Sequence, residues 1–518
     1  MIDNNNQNKR LVKNTLLLYV RMLLTMIISL YTSRIILQTL GIEDFGIYNV
    51  IGGVVALCSF FNNSLSASTQ RFLNYELARN NIYNLKKVFS ISLISFYCLS
   101  IFLFILLETV GIWFIYHKLN IPESRMNAAI WTFQFSILTF LCSIISIPYN
   151  ATIIAHEKMS AFAYISIVEV ILKLICIYCL IWITYDKLIT YSILLFIISL
   201  ITRLIYIIYC KKSFEECKFQ FIWDKQLVTN IFSFSGWMFF GTITQILKDQ
   251  GINILINIFG GAIYNAARGI ALQVYRAVYS FVENFMTAVR PQIIKLYSKQ
   301  EYTETFSLIY RSSKLSFYIL FCISFPILLN IDYILLLWLK QVPYATNIFT
   351  QLTIIESLIG CLFTPLGNLS QATGKIKYYQ ILISLTFLTN FVLTYTLYKL
   401  GYPIITTLWI AIIISSIGLF IRIFYLHKQV GISLKQYTQS VLLKIIYVTS
   451  ISVLISIPIH QIIDITSLSK FFLTSIYYII VTFIVTYCIG LDKVEKDFIK
   501  NKIQRIYDKN RYSPNINT

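Results

Sequence analysis

Stretches of about 20 to 30 apolar residues recur along the chain from Asn14 to Gly490, parted only by short polar breaks. Each is long enough to span the roughly 30 Å hydrocarbon core of a bilayer, where only helices and closed barrels satisfy every backbone N–H and C=O internally. Barrel strands need only about ten residues, so the pattern predicts membrane-spanning helices. About 14 are expected, centred near Thr25, Val55, Ile101, Ile137, Leu172, Ile198, Thr244, Ala277, Phe321, Ile359, Thr389, Ala411, Thr449 and Ile480. The seventh and eighth runs carry enough charge that a strict hydropathy window would lose one of them.

The polar breaks set the orientation. With the amino terminus in the cytoplasm, the breaks at Arg71 to Lys87, Lys158, Lys211 to Lys225, Arg290 to Arg311, Lys375 to Lys377, Lys428 to Lys435 and the tail fall on the same side. About 31 Lys and Arg then face the cytoplasm, about 6 face outward and about 6 lie within helices, which is the positive-inside asymmetry. An odd helix count would invert every later loop and spoil it, so the even number and the orientation support one another, with both termini cytoplasmic. The first run follows the polar segment Met1 to Lys13, is too long for a signal-peptide core and has no small-residue cleavage pattern, so it is expected to stay as a helix.

Composition agrees with a chain that lives in lipid: 57% of residues are hydrophobic, 13% are charged and the mean hydropathy is +0.69. A water-soluble enzyme is excluded. The net charge of +20 would suggest a nucleic-acid partner if the basic residues formed a solvated stripe, but they sit in the breaks and read as topology. The ten cysteines are scattered through apolar runs, and the close pair Cys176 and Cys179 has no His or acid nearby in sequence, so they read as small hydrophobes. No break is long enough for a folded extramembrane domain, and no phosphate-loop, HExxH or GxSxG motif occurs. The four His residues, His117, His156, His427 and His460, are not clustered. Any function is therefore expected to be carried by the helices, without nucleotide hydrolysis or metal chemistry and with no cofactor beyond proton or Na⁺ coupling.

An internal echo refines the architecture. The tetrapeptide GIYN at Gly46 to Asn49, followed by Gly53, returns as AIYN at Ala262 to Asn265, followed by Gly269, an offset of about 216 residues. The same offset carries Asn14, opening the first run, onto Asn230, opening the seventh. Six helices per repeat is an even number, so both repeats point the same way, related by an axis along the membrane normal. The expected fold is an all-α integral membrane protein of two parallel six-helix lobes with two further helices. Its divisions are residues 1–210 for the first lobe, 211–228 for a cytoplasmic linker, 229–428 for the second lobe, 429–491 for helices thirteen and fourteen, and 492–518 for a cytoplasmic tail. That tail mixes Lys, Arg, Asp and Glu, and reads as a surface helix within reach of membrane lipids.

The opening NTLLLYVRMLLTMIISLYTSRIILQTLGIEDFGIYNVIGGVVALCSFFNNSLSASTQRFLNYELAR resembles the start of bacterial polysaccharide flippases. These are the O-antigen and capsule flippases of the multidrug/oligosaccharidyl-lipid/polysaccharide (MOP) exporter superfamily. The resemblance is strongest over roughly the first 90 residues, and the helix count and repeat extend it. It implies a V-shaped two-lobe transporter in the bacterial inner membrane that moves an undecaprenyl-diphosphate-linked glycan to the outer leaflet by alternating access. It also implies a place beside a polysaccharide polymerase and assembly proteins.

Intramembrane charges supply the candidate site, because a charge at mid-bilayer costs at least a few kcal/mol unless it faces a cavity or a partner. Arg21 and Arg34 fall in the first run, and Arg268 and Arg276 in the eighth. In the eighth, Arg268, Leu272, Tyr275, Arg276, Tyr279 and Glu283 lie within about 100° of one another, a basic and aromatic face. Guanidinium forks suit a diphosphate bidentately, and Tyr rings offer flat surfaces to sugars. In the alternative, Arg34 and Arg268 snorkel to the outer head groups and Glu283 neutralises Arg276. The second run carries a stripe of Ser59, Asn63, Ser66 and Gln70, which either lines a sugar path or joins helices. Glu169, Asp249, Glu283 and Glu356 are the candidate coupling carboxylates, although Lys173 stands one turn from Glu169 as a ready partner.

Three function classes compete. A lipid-linked oligosaccharide flippase requires an Arg-lined aqueous cavity, and the arginines of the first and eighth runs favour it. A multidrug cation antiporter would need an acidic one. A membrane polymerase would need a large outer loop, and none is present in the sequence.

Overall fold

The computed structural model describes residues 2–56, 60–118, 121–220, 224–339, 342–463, 467–493, 495–497 and 500; at some of these, including 2–12 and several positions between 30 and 64, the backbone alone is described. Among the described residues the chain is helical throughout, with no strand. The principal helices are α1 (Ile2–Ala56), α2 (Phe60–Ala78), α3 (Ile82–Leu106), α4 (Ile112–Lys118), α5 (Met126–Ala155), α6 (Met159–Trp182), α7 (Lys187–Ser213), α8 (Lys225–Ser298) and α9 (Tyr302–Leu329). They continue with α10 (Ile331–Leu339), α11 (Thr346–Gly360), α12 (Phe363–Thr373), α13 (Lys377–Lys399), α14 (Thr406–Val430), α15 (Leu434–Tyr437), α16 (Leu443–Ile462) and α17 (Leu468–Val485).

Ten helical stretches among the described residues are long and apolar enough to cross a membrane. α1 and α8 add to these, because each is two rods joined at one glycine: Gly41 with φ 81° and ψ 169°, and Gly261 with φ 75° and ψ −173°. An L side chain rarely adopts either conformation, which is why glycine stands at both hinges. In α8 the hinge reverses the chain. Asn253 and Arg268 are 15 residues apart and would stand about 22 Å from each other along a straight helix. Their side chains instead touch at 2.6 Å. Those ten, with the two rods of α1 and the two of α8, agree with the expected count of about 14 when α2 is counted with the second rod of α1.

The hinges correct the height of the repeat. They are 220 residues apart, so the IYN segment follows the second hinge by one residue and the first by five, about one helical turn different.

The helix ends carry their own signals. Asp186 caps α7, accepting from the N–H of Leu188 and Ile189 at 3.1 Å each, and Asp224 caps α8 through Leu227 N–H at 3.1 Å. Gly431, with φ 79°, ends α14 in the left-handed conformation.

The chain divides into two compact units. The first comprises Met1–Lys248, Glu283–Thr305 and Gly367–Phe387; the second comprises Asp249–Val282, Phe306–Leu366 and Leu388–Thr518. The first unit packs around two large apolar clusters. One joins Ile51, Phe96, Leu103, Phe133 and Ile144, and the other joins Leu73, Phe89, Tyr149, Ile153 and Phe214. A smaller cluster brings Leu18, Ile154 and Met159 against Ala288. In the second unit Ile252, Leu255, Ala267, Phe349, Tyr398 and Leu408 form the core. Large apolar side chains elsewhere face outward, among them Ile101, Leu204, Leu247, Leu388 and Phe420, as helices solvated by lipid require.

Candidate functional site

In the first unit, Arg21 lies on α1, 20 residues before the hinge. Its guanidinium donates to Asn284 Oδ1 at 2.9 Å and stands 4.7 Å above the Phe162 ring. Its Nε is buried without a partner, and among the described residues no carboxylate pairs with it. A half-buried cation is thus held by a neutral amide and an aromatic face, with hydrogen-bonding capacity left over. Such a group is electrostatically incomplete and suited to an anion.

In the second unit, Arg268 is only 9% exposed and turns to Asn253 on the other arm of the α8 hairpin. It does not snorkel outward. Asp249 and Glu356 act on it electrostatically, and Glu356 Oε1 also accepts from Ser415 on α14 at 3.3 Å. Two helical turns on, the Arg276 side chain is exposed and makes no hydrogen bond or ion pair among the described residues. The Tyr275 and Tyr279 rings meet tilted by 32° at 5.2 Å between centroids, and Tyr279 meets Thr364 at 3.2 Å. The basic, aromatic face read from the periodicity therefore has a buried guanidinium at one end and an exposed one in the middle.

The other candidates disperse. Gln70 is buried and donates to Ser66 Oγ at 3.2 Å, so this part of the α2 stripe is bound to itself. Glu169 and Lys173 form the expected ion pair at 2.6 Å, with side chains 35% and 43% exposed. Glu283 is exposed and feels Arg290, two turns along the same helix. Arg290 itself donates to Asn368 at 3.1 Å. The side chains of Arg34 and Asn63 lie outside the described residues. Among the described residues no group of three or more His, Cys, Asp or Glu could hold a metal, and Cys176 and Cys179 are free thiols.

Several charges have structural settings that the sequence reading did not single out. Arg422 on α14 is 5% exposed and lies 3.9 Å over the Phe363 ring. Its signal, one arginine inside an apolar run, is the same as that of Arg21 and could have found it. Glu108 sits in a π-type turn, Leu107–Gly111, and accepts from Gln134 at 2.9 Å. In the first unit, Arg125 forks onto Asp44 and Asp186. Burial works upward on Asp186, but Arg125 and the amides of Ile189 and Leu188 outweigh it and hold that carboxyl below its ordinary range.

The family model for polysaccharide biosynthesis proteins matches residues 11–298. No curated protein matches. Solved structures with a similar fold include a MATE transporter in its straight conformation, at a TM-score of 0.71 and 12% identity over 82% of this chain and 96% of that one. An outward-facing multidrug resistance MATE family transporter of the MOP superfamily matches at a TM-score of 0.70, with the same identity and coverage. A MOP superfamily transporter from Pyrococcus furiosus, described as having a binding pocket of reversed polarity that suggests a different function, matches at 0.66, again at 12% identity over 82% and 96%. At that identity the likeness is one of fold.

Proposed function

Because this chain belongs to the polysaccharide biosynthesis protein family and folds as the MOP superfamily transporters do, we propose that it flips an undecaprenyl-diphosphate-linked oligosaccharide from the cytoplasmic to the outer leaflet of a bacterial inner membrane. Both termini face the cytoplasm in this reading, following the distribution of Lys and Arg. The cycle is one of alternating access, serving cell-surface polysaccharide synthesis beside a polymerase and assembly proteins.

The observation that carries the reading is Arg21. A guanidinium held by Asn284 and the Phe162 ring, with no carboxylate on it among the described residues, keeps its Nε without a partner. A diphosphate supplies the charged, two-pronged acceptor that such a fork matches. In the second unit, Arg276, exposed and unpaired among the described residues, and Arg268 are diphosphate candidates in their own right, and Tyr275 and Tyr279 are assigned to the sugar. Coupling to proton or Na⁺ is assigned to Asp249 and Glu356, the two carboxylates in the field of Arg268.

The test is reconstitution into vesicles with a fluorescent undecaprenyl-diphosphate sugar. Arg21→Ala and Arg276→Ala are each expected to slow flipping about tenfold or more, the worth of one charge-assisted hydrogen bond. Wild-type rates in both variants would remove the diphosphate site.

A further inference from the structure

Arg71 on α2 belongs to none of the groups assigned above. Its Nε donates to the main-chain carbonyl of Gln371 at 2.8 Å, near the carboxyl end of α12. The guanidinium lies 4.8 Å from the Phe72 ring and 5.1 Å from Phe234 of α8. It presses on Gly374, whose φ is 75°, so closely that a Cβ there would overlap it. α2, α8 and α12 thus meet at one arginine, and the segments that touch it, around residues 71–72, 234 and 371–374, all lie within the first compact unit. Phe72 and Phe234 touch edge to face at 6.1 Å, and Ser68 Oγ reaches the Ile231 carbonyl at 3.4 Å.

Close to this junction in sequence are buried polar groups that lack partners among the described residues. Asn74, one turn from Arg71 and fully buried, has neither its amide nitrogen nor its oxygen bonded to any described protein group. Ser235 beside Phe234, Ser370 beside Gln371, and Gln371 Oε1 are likewise buried without a protein partner. Unsatisfied buried polar atoms oppose closure, and water restores their bonds when helices separate. Arg71 is also bound to a neutral carbonyl, where a phosphate would add opposite charge and a two-pronged acceptor.

We propose that Arg71 is the latch of the cytoplasmic gate and that a diphosphate head group releases it. The phosphate oxygens take the guanidinium from the Gln371 carbonyl, α12 loses its hold on α2, and the polar groups of the junction become hydrated as the path opens. Arg71 then serves as both sensor and bolt: a neutral lipid cannot open the gate, because it offers the guanidinium nothing better than the carbonyl. The proposal rests on the flippase reading above.

Hydrogen exchange of the full-length protein in nanodiscs, followed in peptides covering residues 230–236 and 367–374, tests it. Undecaprenyl diphosphate is expected to raise exchange there about tenfold in wild type, the gain when a charged acceptor replaces a neutral one. Undecaprenol is expected to change nothing. Inorganic pyrophosphate is the third arm: a rise with it supports the latch and places the trigger in the diphosphate alone, whereas a rise with the lipid only supports the latch and adds the need for the chain. Arg71→Ala should exchange fast before any addition and not respond further. Gly374→Ala, which leaves the arginine in place but pushes a methyl group against it, should also exchange faster at rest. No rise with either diphosphate, an equal rise with undecaprenol, or slow exchange in both variants overturns the proposal. Bound lipid is read by native mass spectrometry in the same samples. Lipid that binds without faster exchange ends the latch and spares the flippase; lipid that does not bind ends both.

Discussion

Arg125 meets Asp44 fork to fork, Nε to Oδ1 at 2.8 Å and a terminal nitrogen to Oδ2 at 2.6 Å, although 81 residues separate them. Its remaining terminal nitrogen reaches Asp186 at 2.6 Å. One guanidinium therefore ties three segments together: the start of the second rod of α1 just past Gly41, the turn before α5 and the cap of α7. Replacing it by Lys keeps the charge and loses the two-pronged geometry. Arg125→Lys is expected to lower stability by about 1 to 2 kcal/mol, since the partly exposed setting screens the pair. Thermal unfolding followed by retention of the monomer on size exclusion checks it, with Arg125→Ala expected to lose more.

The same network sets a pH dependence. Asp186 is held below the ordinary carboxylate range in the folded protein, so its contribution stands in full above the unfolded value of about 4. It is lost as pH falls through the lower folded value. Wild type and Asp186→Asn should thus differ by a constant amount at pH 6 to 8, roughly, and converge toward pH 3. A gap that stays constant down to that pH would show that the carboxylate charge contributes nothing.

A second charged cluster lies at the carboxyl end. The Lys314 ammonium on α9 is 1% exposed and bonds Asp492 at 2.6 Å and Glu495 at 2.9 Å, while Lys444 also binds Asp492. Burial works upward on Asp492, but the two lysines outweigh it and keep the carboxyl below its usual range. Asp492→Asn with Glu495→Gln leaves a buried ammonium unpaired and is expected to cost about 3 to 5 kcal/mol. Adding Lys314→Met should return most of that loss, because an apolar side chain of similar length needs no counter-charge. Thermal midpoints of the single, double and triple variants decide it, and a triple variant no better than the double refutes the assignment.

Two glycines separate packing from conformation. A Cβ on Gly111 would stand 2.5 Å from Cζ of Phe133, a ring with no exposed surface, whereas a Cβ on Gly269 meets nothing within 4 Å. Gly111→Ala is expected to destabilise by about 1 to 3 kcal/mol. Gly269→Ala should be neutral or slightly stabilising, since Ala is the better helix former. Equal effects in the two variants would mean that the contact with Phe133 is not what glycine serves there.

The rods were legible in the sequence because a bilayer imposes a length and a polarity that a hydropathy pattern records directly. The hinges were not. Gly41 and Gly261 stand out only by their dihedrals, and the IYN echo misses their spacing by one turn because a short tetrapeptide match does not mark a backbone reversal. Charges inside apolar runs were legible as unusual, which found Arg21, Arg268 and Arg276. Their partners were invisible: Asn284 lies 263 residues from Arg21, and Asp492 lies 178 from Lys314. Periodicity places a residue on a face, but only the packed chain decides whether that face meets an amide, an acid or nothing. Glu169 with Lys173 was the exception, because both partners share one helical turn.

Asn284 allows the role of Arg21 to be tested without removing the arginine. Its Oδ1 accepts from Arg21 at 2.9 Å, so Asn284→Asp places a carboxylate where the neutral amide stood, with little change in shape. If the guanidinium only holds helices together, the new ion pair strengthens that hold and flipping is unaffected. If it receives a diphosphate, the carboxylate competes for the same fork and repels the arriving anion. The second outcome is expected: thermal stability equal to wild type or higher, with flipping slowed about tenfold. Asn284→Ala gives the complementary result, freeing the guanidinium from Asn284 without adding charge, so the apparent affinity for undecaprenyl diphosphate should hold or improve while stability falls. Stability and transport that rise or fall together across both variants would reduce Arg21 to a structural contact and leave the diphosphate without its first ligand.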